Sequence, residues 1–140
     1  ENRVNAEHLH FENSVHTVEE ACREAKAQPN DFVKTICMIF GEKTICAIVL
    51  GSDRASTERV GKALNIERPH VATPEKALEK TGYIVGGTPP FGYNATFLID
   101  PKVMEKEIVY AGGGTPNAII KINTKELQKT NNGQVVRVRK

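Results

Sequence analysis

The sequence predicts one domain that mixes β-strands with short helices, and three observations carry that reading. The chain has 140 residues, 39% of them hydrophobic, which suffices for one core and is too little for two. From Phe32 to Phe40 and from Thr44 to Leu50 run two β-branched, nearly continuous apolar segments joined through Gly41-Glu42-Lys43, the pattern of a buried hairpin. Around this pair, capping signals mark short helices, and two glycine clusters punctuate the second half of the chain.

Leu9 to Phe11 reads as a short strand. Thr17-Val18-Glu19-Glu20 has capping-box spacing, so a helix is expected to about Ala27, with Val18, Ala21, Cys22 and Ala25 on its inner face. Gln28-Pro29-Asn30-Asp31 ends it. In the first hairpin strand the period of two puts Phe32, Lys34, Ile36, Met38 and Phe40 on one face, and Val33, Thr35, Cys37 and Ile39 on the other. Lys34 is the anomaly, because an ammonium among apolar neighbours is costly unless it reaches water or an anion. A lysine snorkelling to solvent from the strand end is the bland alternative.

Gly51-Ser52-Asp53-Arg54 is a turn, after which Ser56 caps a helix that turns Val60, Ala63 and Leu64 inward. Val71-Ala72 leads to Thr73-Pro74, an N-cap with proline at the first helical position, and this helix runs through Lys80 and stops at Gly82. Ala95 to Ile99 is a strand ending at the turn Asp100-Pro101, and Glu107 to Ala111 and Ala118 to Ile122 are two more. Thr124 is placed to cap a last helix carrying Leu127, and Gln134 to Arg139 reads as a closing strand with alternating Val and Arg.

Between these elements lie Gly86-Gly87-Thr88-Pro89-Pro90-Phe91-Gly92 and Gly112-Gly113-Gly114-Thr115-Pro116-Asn117. Neither suits a helix interior or a central strand. As shaped loops they could present backbone N–H groups to an oxyanion or a phosphate, or serve only as rigid turns. Neither carries the Gly-Lys-Ser/Thr ending of a phosphate-binding P-loop, and the second lacks the full dinucleotide fingerprint. No nucleophile elbow is present, Ser14 beside His16 makes no hydrolase dyad, and His8, His10 and His16 lack the partners of a metal site. We expect no metal and no cofactor.

With 19 basic and 17 acidic side chains the chain is no duplex-coating protein, so DNA is not an expected partner. Cys22, Cys37 and Cys46 leave an odd thiol, which fits a reducing compartment, and a cytoplasmic location is expected. No apolar run is long enough to span a membrane. The chain begins at Glu1 without methionine, which leaves room for native residues before it. On the residues alone, a cationic Lys34 and two rigid glycine loops suit acyl-ester hydrolysis, and equally the binding of a phosphate or carboxylate without turnover.

Val71-Ala72-Thr73-Pro74-Glu75 followed by Thr81-Gly82-Tyr83-Ile84-Val85-Gly86-Gly87-Thr88-Pro89-Pro90-Phe91-Gly92 resembles the signature of the YbaK and prolyl-tRNA synthetase-associated editing domains. The resemblance extends through Phe97-Leu98-Ile99-Asp100, Val109-Tyr110-Ala111-Gly112-Gly113-Gly114 and Thr124 to Leu127, nearly the whole chain in order. It implies an α+β fold over residues 1–140, built on a mixed, barrel-like sheet flanked by helices. It also implies hydrolysis of the ester that joins a wrong small amino acid (alanine, serine, threonine or cysteine) to a tRNA 3′ end, on tRNA-Pro among others, with a synthetase as a further partner.

By the same resemblance Lys34, Gly86 and Gly87 are expected to be catalytic. Phe32, Thr88, Pro89, Pro90, Gly92, Gly112, Gly113, Gly114 and Thr115 are expected to contact substrate. The attacking water, helped by a ribose hydroxyl, would need no side-chain nucleophile, and backbone amides around Gly87 and Gly114 would orient the ester carbonyl. Some relatives place an acidic residue where this chain has Ile119, which keeps a non-catalytic tRNA-end binding or regulatory module as the alternative. A small-molecule esterase or phosphate binder is a third reading. Size alone discriminates by about 1–3 kcal/mol per methylene, so Phe32, Ile36 or Met38 could reset the amino acid removed.

Overall fold

A computed structural model describes residues 6–11, 18–84, 87–115 and 118–140. The expected hairpin is its centre. β2 (Val33–Phe40) and β3 (Lys43–Leu50) pair antiparallel from Phe40↔Lys43 to Val33↔Leu50, so the turn is only Gly41-Glu42 and Lys43 already belongs to the strand. Gly41 takes a φ of +59°, the positive value that a two-residue hairpin turn requires at its first position.

A five-stranded mixed sheet grows from this hairpin in the order β4-β2-β3-β5-β8, where β4 is His70–Val71, β5 Thr96–Ile99 and β8 Gln134–Val135. β5 runs parallel to β3 and to β8, while the remaining pairs are antiparallel. A second, three-stranded antiparallel sheet has the order β1-β7-β6, with β1 Ala6–His10, β6 Ile108–Gly112 and β7 Ala118–Asn123. The fold is α+β with mixed sheets, as expected, but the barrel does not close. Among the described residues the two sheets are joined at one edge by the isolated parallel bridge Phe32↔Tyr110.

Alternation along the strands sorts the core into layers. Val33, Cys46, Ile48, Leu50, Phe97 and Ile99 face Val109, Ala111, Ile120 and Ile122 of the second sheet, and Leu127 of α5 (Thr124–Asn131) closes this layer. On the opposite face Met38, Ile45, Ala47, Val49 and Leu98 pack on Val60 of α2 (Thr57–Leu64) and on Val138. α1 (Val18–Ala25) covers the outer side of the three-stranded sheet, where Ala21, Cys22 and Ala25 meet Leu9, Phe32 and Ile119. α3 (Pro74–Thr81) places Ala77 with Cys37 and Ile39.

The helix caps follow the sequence closely. Ser56 Oγ accepts from Arg59 N–H at 3.1 Å, Thr73 Oγ1 accepts from Lys76 N–H at 3.1 Å, and Gly82 closes α3 at a φ of +84°. Thr17 of the expected capping box lies outside the described residues. Three readings are corrected. Asp100-Pro101 opens a short helix, α4 (Pro101–Met104), with Asp100 Oδ2 accepting from Lys102 N–H at 3.1 Å. Asn123, not Thr124, caps α5, its side chain accepting from Lys125 and Glu126 N–H. The closing strand stops at Val135, because Val138 and Arg139 spend their N–H groups on the Asp100 carboxylate instead of on a sheet ladder.

Candidate functional site

The two glycine loops meet at the end of the three-stranded sheet. Gly114 N–H donates to Gly87 O at 2.8 Å, and the backbone of Gly87 and Thr88 lies directly against Gly112. A Cβ on Gly112 would fall 2.6 Å from Thr88 O and 2.9 Å from Gly87 C, which no side chain tolerates. Gly112 is therefore glycine so that two backbones can touch. Gly113 packs as tightly on Ala118, and Gly114 takes a φ of +97° with the Tyr83 ring beside it.

The first loop is fastened from several sides. Thr88 Oγ1 donates to Ile84 O at 2.9 Å, the Tyr93 hydroxyl to Pro89 O at 2.7 Å and Asn131 Nδ2 to Pro90 O at 2.9 Å. Burial pushes the Tyr93 phenol well up from its ordinary value, with the neighbouring Cys46 thiol adding to the effect, so its proton stays available for Pro89. Thr88, Pro89 and Pro90 are all buried, and the loop is thereby shaped before anything binds. Gly86 lies outside the described residues.

The amides narrow the earlier expectation. Gly87 N–H donates to Ile84 O, Gly113 N–H to Ala118 O and Gly114 N–H to Gly87 O, so all three serve the loops themselves. The N–H groups of Thr88 and Thr115 have no acceptor among the described residues.

Lys34 lies on β2, close in sequence to the bridge that joins the two sheets. The Phe32↔Tyr110 bridge is parallel, and two residues further along each strand stand Lys34 and Gly112. Alternation puts Lys34 on the face of Phe32, and Gly112 on the face of Tyr110, whose rings are packed 5.1 Å apart. That is also the face where the Gly87-Thr88 backbone rests on Gly112. Lys34 is half-buried, and its ammonium is held below the ordinary lysine value, by burial first and then by Arg54, while Asp53 works the other way. Asp53 Oδ2 and, next to Lys34 on the strand, Thr35 Oγ1 are buried without a hydrogen-bond partner among the described residues.

The other expected contacts divide. Phe32, two residues before Lys34, is buried among Ala21, Ile119 and Tyr110. Ile36 and Met38 belong to the α2 layer instead, with Met38 wholly enclosed. Ile119, at 2% exposure, is plain core between Leu9 and Phe32, and it offers no polar group to a substrate.

On the inner face of β7 the loops border a second concavity, an open cleft of about 340 Å³. Ala6 and His8 of β1, Ile120 of β7, Gly113 and Gly114 form one side, and Tyr83, Pro89, Phe91 and Gly92 the other. His8 Nε2 stands 2.8 Å from Gly113 O. Sequence reading considered His8 only as a metal ligand, and among the described residues no cluster of three His, Cys, Asp or Glu side chains forms. Its place could have been found only from the β1–β7 register, His8↔Ile120, which sequence does not supply. Asp53 was within reach: extending the hairpin register past Leu50 brings the Gly51 turn alongside Phe32, where Gly51 N–H donates to Phe32 O at 2.7 Å.

The family described as aminoacyl-tRNA editing domain matches residues 12–130. A Bacillus subtilis (strain 168) protein, the uncharacterized protein YwhH, is 24% identical over 122 residues, which cover 85% of this chain and 77% of that protein. The crystal structure of a proposed trans-editing enzyme for prolyl tRNA synthetase superposes with a TM-score of 0.87 at 26% identity, covering 96% of this chain and 87% of that one. The hypothetical protein APE2540 shares the fold with a TM-score of 0.90 at 24% identity, covering 97% and 92%.

Proposed function

From the premise that this chain belongs to the aminoacyl-tRNA editing domain family, we propose that it is a trans-acting deacylase that hydrolyses the ester between a small amino acid and the 3′ end of a mischarged tRNA. The reading is supported by Lys34, two residues past the Phe32↔Tyr110 bridge on β2, and by the locked Gly87-Thr88 backbone that rests on Gly112, two residues past the same bridge on β6. These supply one cation and a rigid peptide wall, and the wall needs no reorganisation as charge develops.

In the reaction, water adds to the ester carbonyl carbon, the bond to the ribose oxygen breaks, and that oxygen leaves with a proton. Lys34 holds the anionic acceptor end. Gly87 and Gly114 N–H are spent on Ile84 O and Gly87 O, so other backbone amides of these two loops take the task of steadying the carbonyl oxygen. A binding module without turnover is the second reading, and the burial of Ile119 favours it, since no carboxylate occupies that position.

The test is a panel of tRNAs charged separately with alanine, serine, threonine, cysteine and proline, with loss of each ester followed against buffer. Accelerated loss of one or a few supports the deacylase and names the amino acid. Binding of uncharged tRNA with no acceleration on any member supports the module.

A further inference from the structure

Cys37 and Cys46 take no part in the chemistry proposed above, yet the central hairpin sets them face to face. In the β2–β3 register Cys37 is the direct antiparallel partner of Cys46, so both side chains leave the same face of the sheet. Opposed antiparallel residues have Cα atoms about 4.5 or 5.5 Å apart, and either spacing falls within the range of about 4.4–6.8 Å that a disulfide bridges. The third thiol is elsewhere, since Cys22 packs in the α1 layer against Ala21, Phe32 and Ile119.

The two sulfurs are not equivalent. Cys46 is wholly enclosed, whereas Cys37 keeps 8% exposure beside Ala72 and Ala77. A hydrogen bond from the Cys46 thiol holds Cys37 below the ordinary thiol value, against the effect of burial, and the same contact, followed by burial, pushes Cys46 up. Cys37 is therefore the sulfur that meets a small oxidant first, as the thiolate.

Tyr93 ties the pair to the first glycine loop. Its hydroxyl gives its one proton to Pro89 O at 2.7 Å, which leaves the oxygen to accept in the 3.6 Å contact with Cys46 Sγ. The Cys46 S–H is the donor there, and it turns to Cys37 when Cys37 ionises. A disulfide has no S–H, so oxidation removes one of the contacts that seat the Tyr93 hydroxyl under Pro89.

We propose that Cys37 and Cys46 form a redox modification site, at which a peroxide converts the two thiols into one cross-strand disulfide and thereby loosens the Pro89 segment through Tyr93. The Cys37 thiolate attacks one oxygen of hydrogen peroxide, the O–O bond breaks, and the departing hydroxide takes the proton that Cys37 released. The sulfenic acid on Cys37 is then attacked by the Cys46 sulfur, the S–OH bond breaks, and that hydroxide leaves as water with the Cys46 proton. Two thiols lose two electrons and two protons, and one peroxide is reduced to two waters.

The modification is tested without turnover. The reduced protein is treated with hydrogen peroxide, the excess is removed with catalase, and the chain is unfolded in iodoacetamide. Lys43 separates the two cysteines, so trypsin should yield residues 35–43 joined to residues 44–54, two hydrogens lighter than the separate peptides. Cys22 should keep its label, and dithiothreitol should release the link. Oxidation of Met38, which lies in the same peptide, would add an oxygen and is told apart by mass. Retention of all three labels, a link that involves Cys22, or oxygen added to Cys37 without a link overturns the proposal.

The coupling is read from the amides of Phe91, Gly92 and Tyr93 in the ¹⁵N-labelled protein. They should differ between the reduced and oxidised forms, and peroxide should leave them unmoved in Cys37→Ala. A link that forms with no change at these amides overturns the coupling. The effect on turnover alone rests on the deacylase reading: with the charged tRNA that the panel identifies, oxidation should lower kcat/KM about fivefold, the worth of one neutral hydrogen bond, and dithiothreitol should restore it. A chain that forms the link and shifts these amides but hydrolyses no ester retains the site and loses the deacylase reading. One that hydrolyses the ester equally well in both forms keeps that reading and overturns the coupling.

Discussion

Lys34 sits under opposing influences that can be separated by substitution. Burial lowers its affinity for the proton, Arg54 lowers it further, and Asp53 partly restores it. If the ammonium is the form that holds the acceptor end, activity above the buffer blank declines on the alkaline side at a lower pH than an ordinary lysine would give. Removing the neighbouring cation favours the charged form, so Arg54→Ala should move this limb to higher pH. Asp53→Asn removes the favourable carboxylate and should move it to lower pH. Lys34→Ala should cost about 10²- to 10³-fold in kcat/KM, as loss of a preorganised electrostatic contact does. The pH–rate profiles of the four proteins check all three shifts together. Coincident limbs in the parent and both neighbour variants would assign the alkaline decline to another group.

At the scale of elements, the Asp100 carboxylate joins parts of the fold that sequence leaves separate. It caps α4 through Lys102 N–H, accepts from Val138 and Arg139 N–H at 2.9 and 3.1 Å, and pairs with the Arg139 guanidinium at 2.8 Å. Burial alone would raise its pKa, but the hydrogen bonds from Val138, Lys102 and Arg139 outweigh it and hold the group below the ordinary 3.8. A depressed folded-state value means that this stability is present above pH 3.8 and is lost as pH falls from there through the folded value. Asp100→Asn should destabilise by roughly 2–4 kcal/mol near neutrality, since the Arg139 guanidinium and three amides lose a charged partner. Urea melts at pH 7 and pH 3 check it: the gap between parent and variant should shrink at the lower pH. This contact also shows why the C-terminus was misread. The Val–Arg alternation signals an extended segment, whereas a carboxylate 38 residues earlier in the chain decides that its amides leave the sheet. Ser56, Thr73 and Gly82 were legible because each acts on groups within a few residues of itself.

At the scale of the whole molecule the same division holds for the site. The glycine clusters announced shaped loops, and Lys34 stood out as a charge in an apolar run, because both signals are local. That the loops close on each other, with Gly112 against Thr88, and that a parallel bridge ties Phe32, two residues before Lys34, to Tyr110, two before Gly112, are facts of topology. Charge is also a property of the whole. The 19 basic side chains exceed the 17 acidic ones by a formal net charge of +2, and ion pairs join Lys62 to Glu58, Lys76 to Glu79, Lys106 to Asp31 and Arg139 to Asp100. With 17 acidic side chains set against 19 basic ones, no large excess of positive charge is left to track a phosphate backbone. Each neutralised phosphate contributes a slope of about −0.7 to −0.9 in log K against log salt, so two or three contacts predict a slope near −2. Filter binding of uncharged tRNA from 50 to 300 mM salt measures it. A shallow slope fits recognition concentrated at the acceptor end, the part of the substrate that we propose Lys34 and the loops hold. A slope of about −5 or steeper would require a continuous basic track, and would move the main contact surface away from the glycine loops.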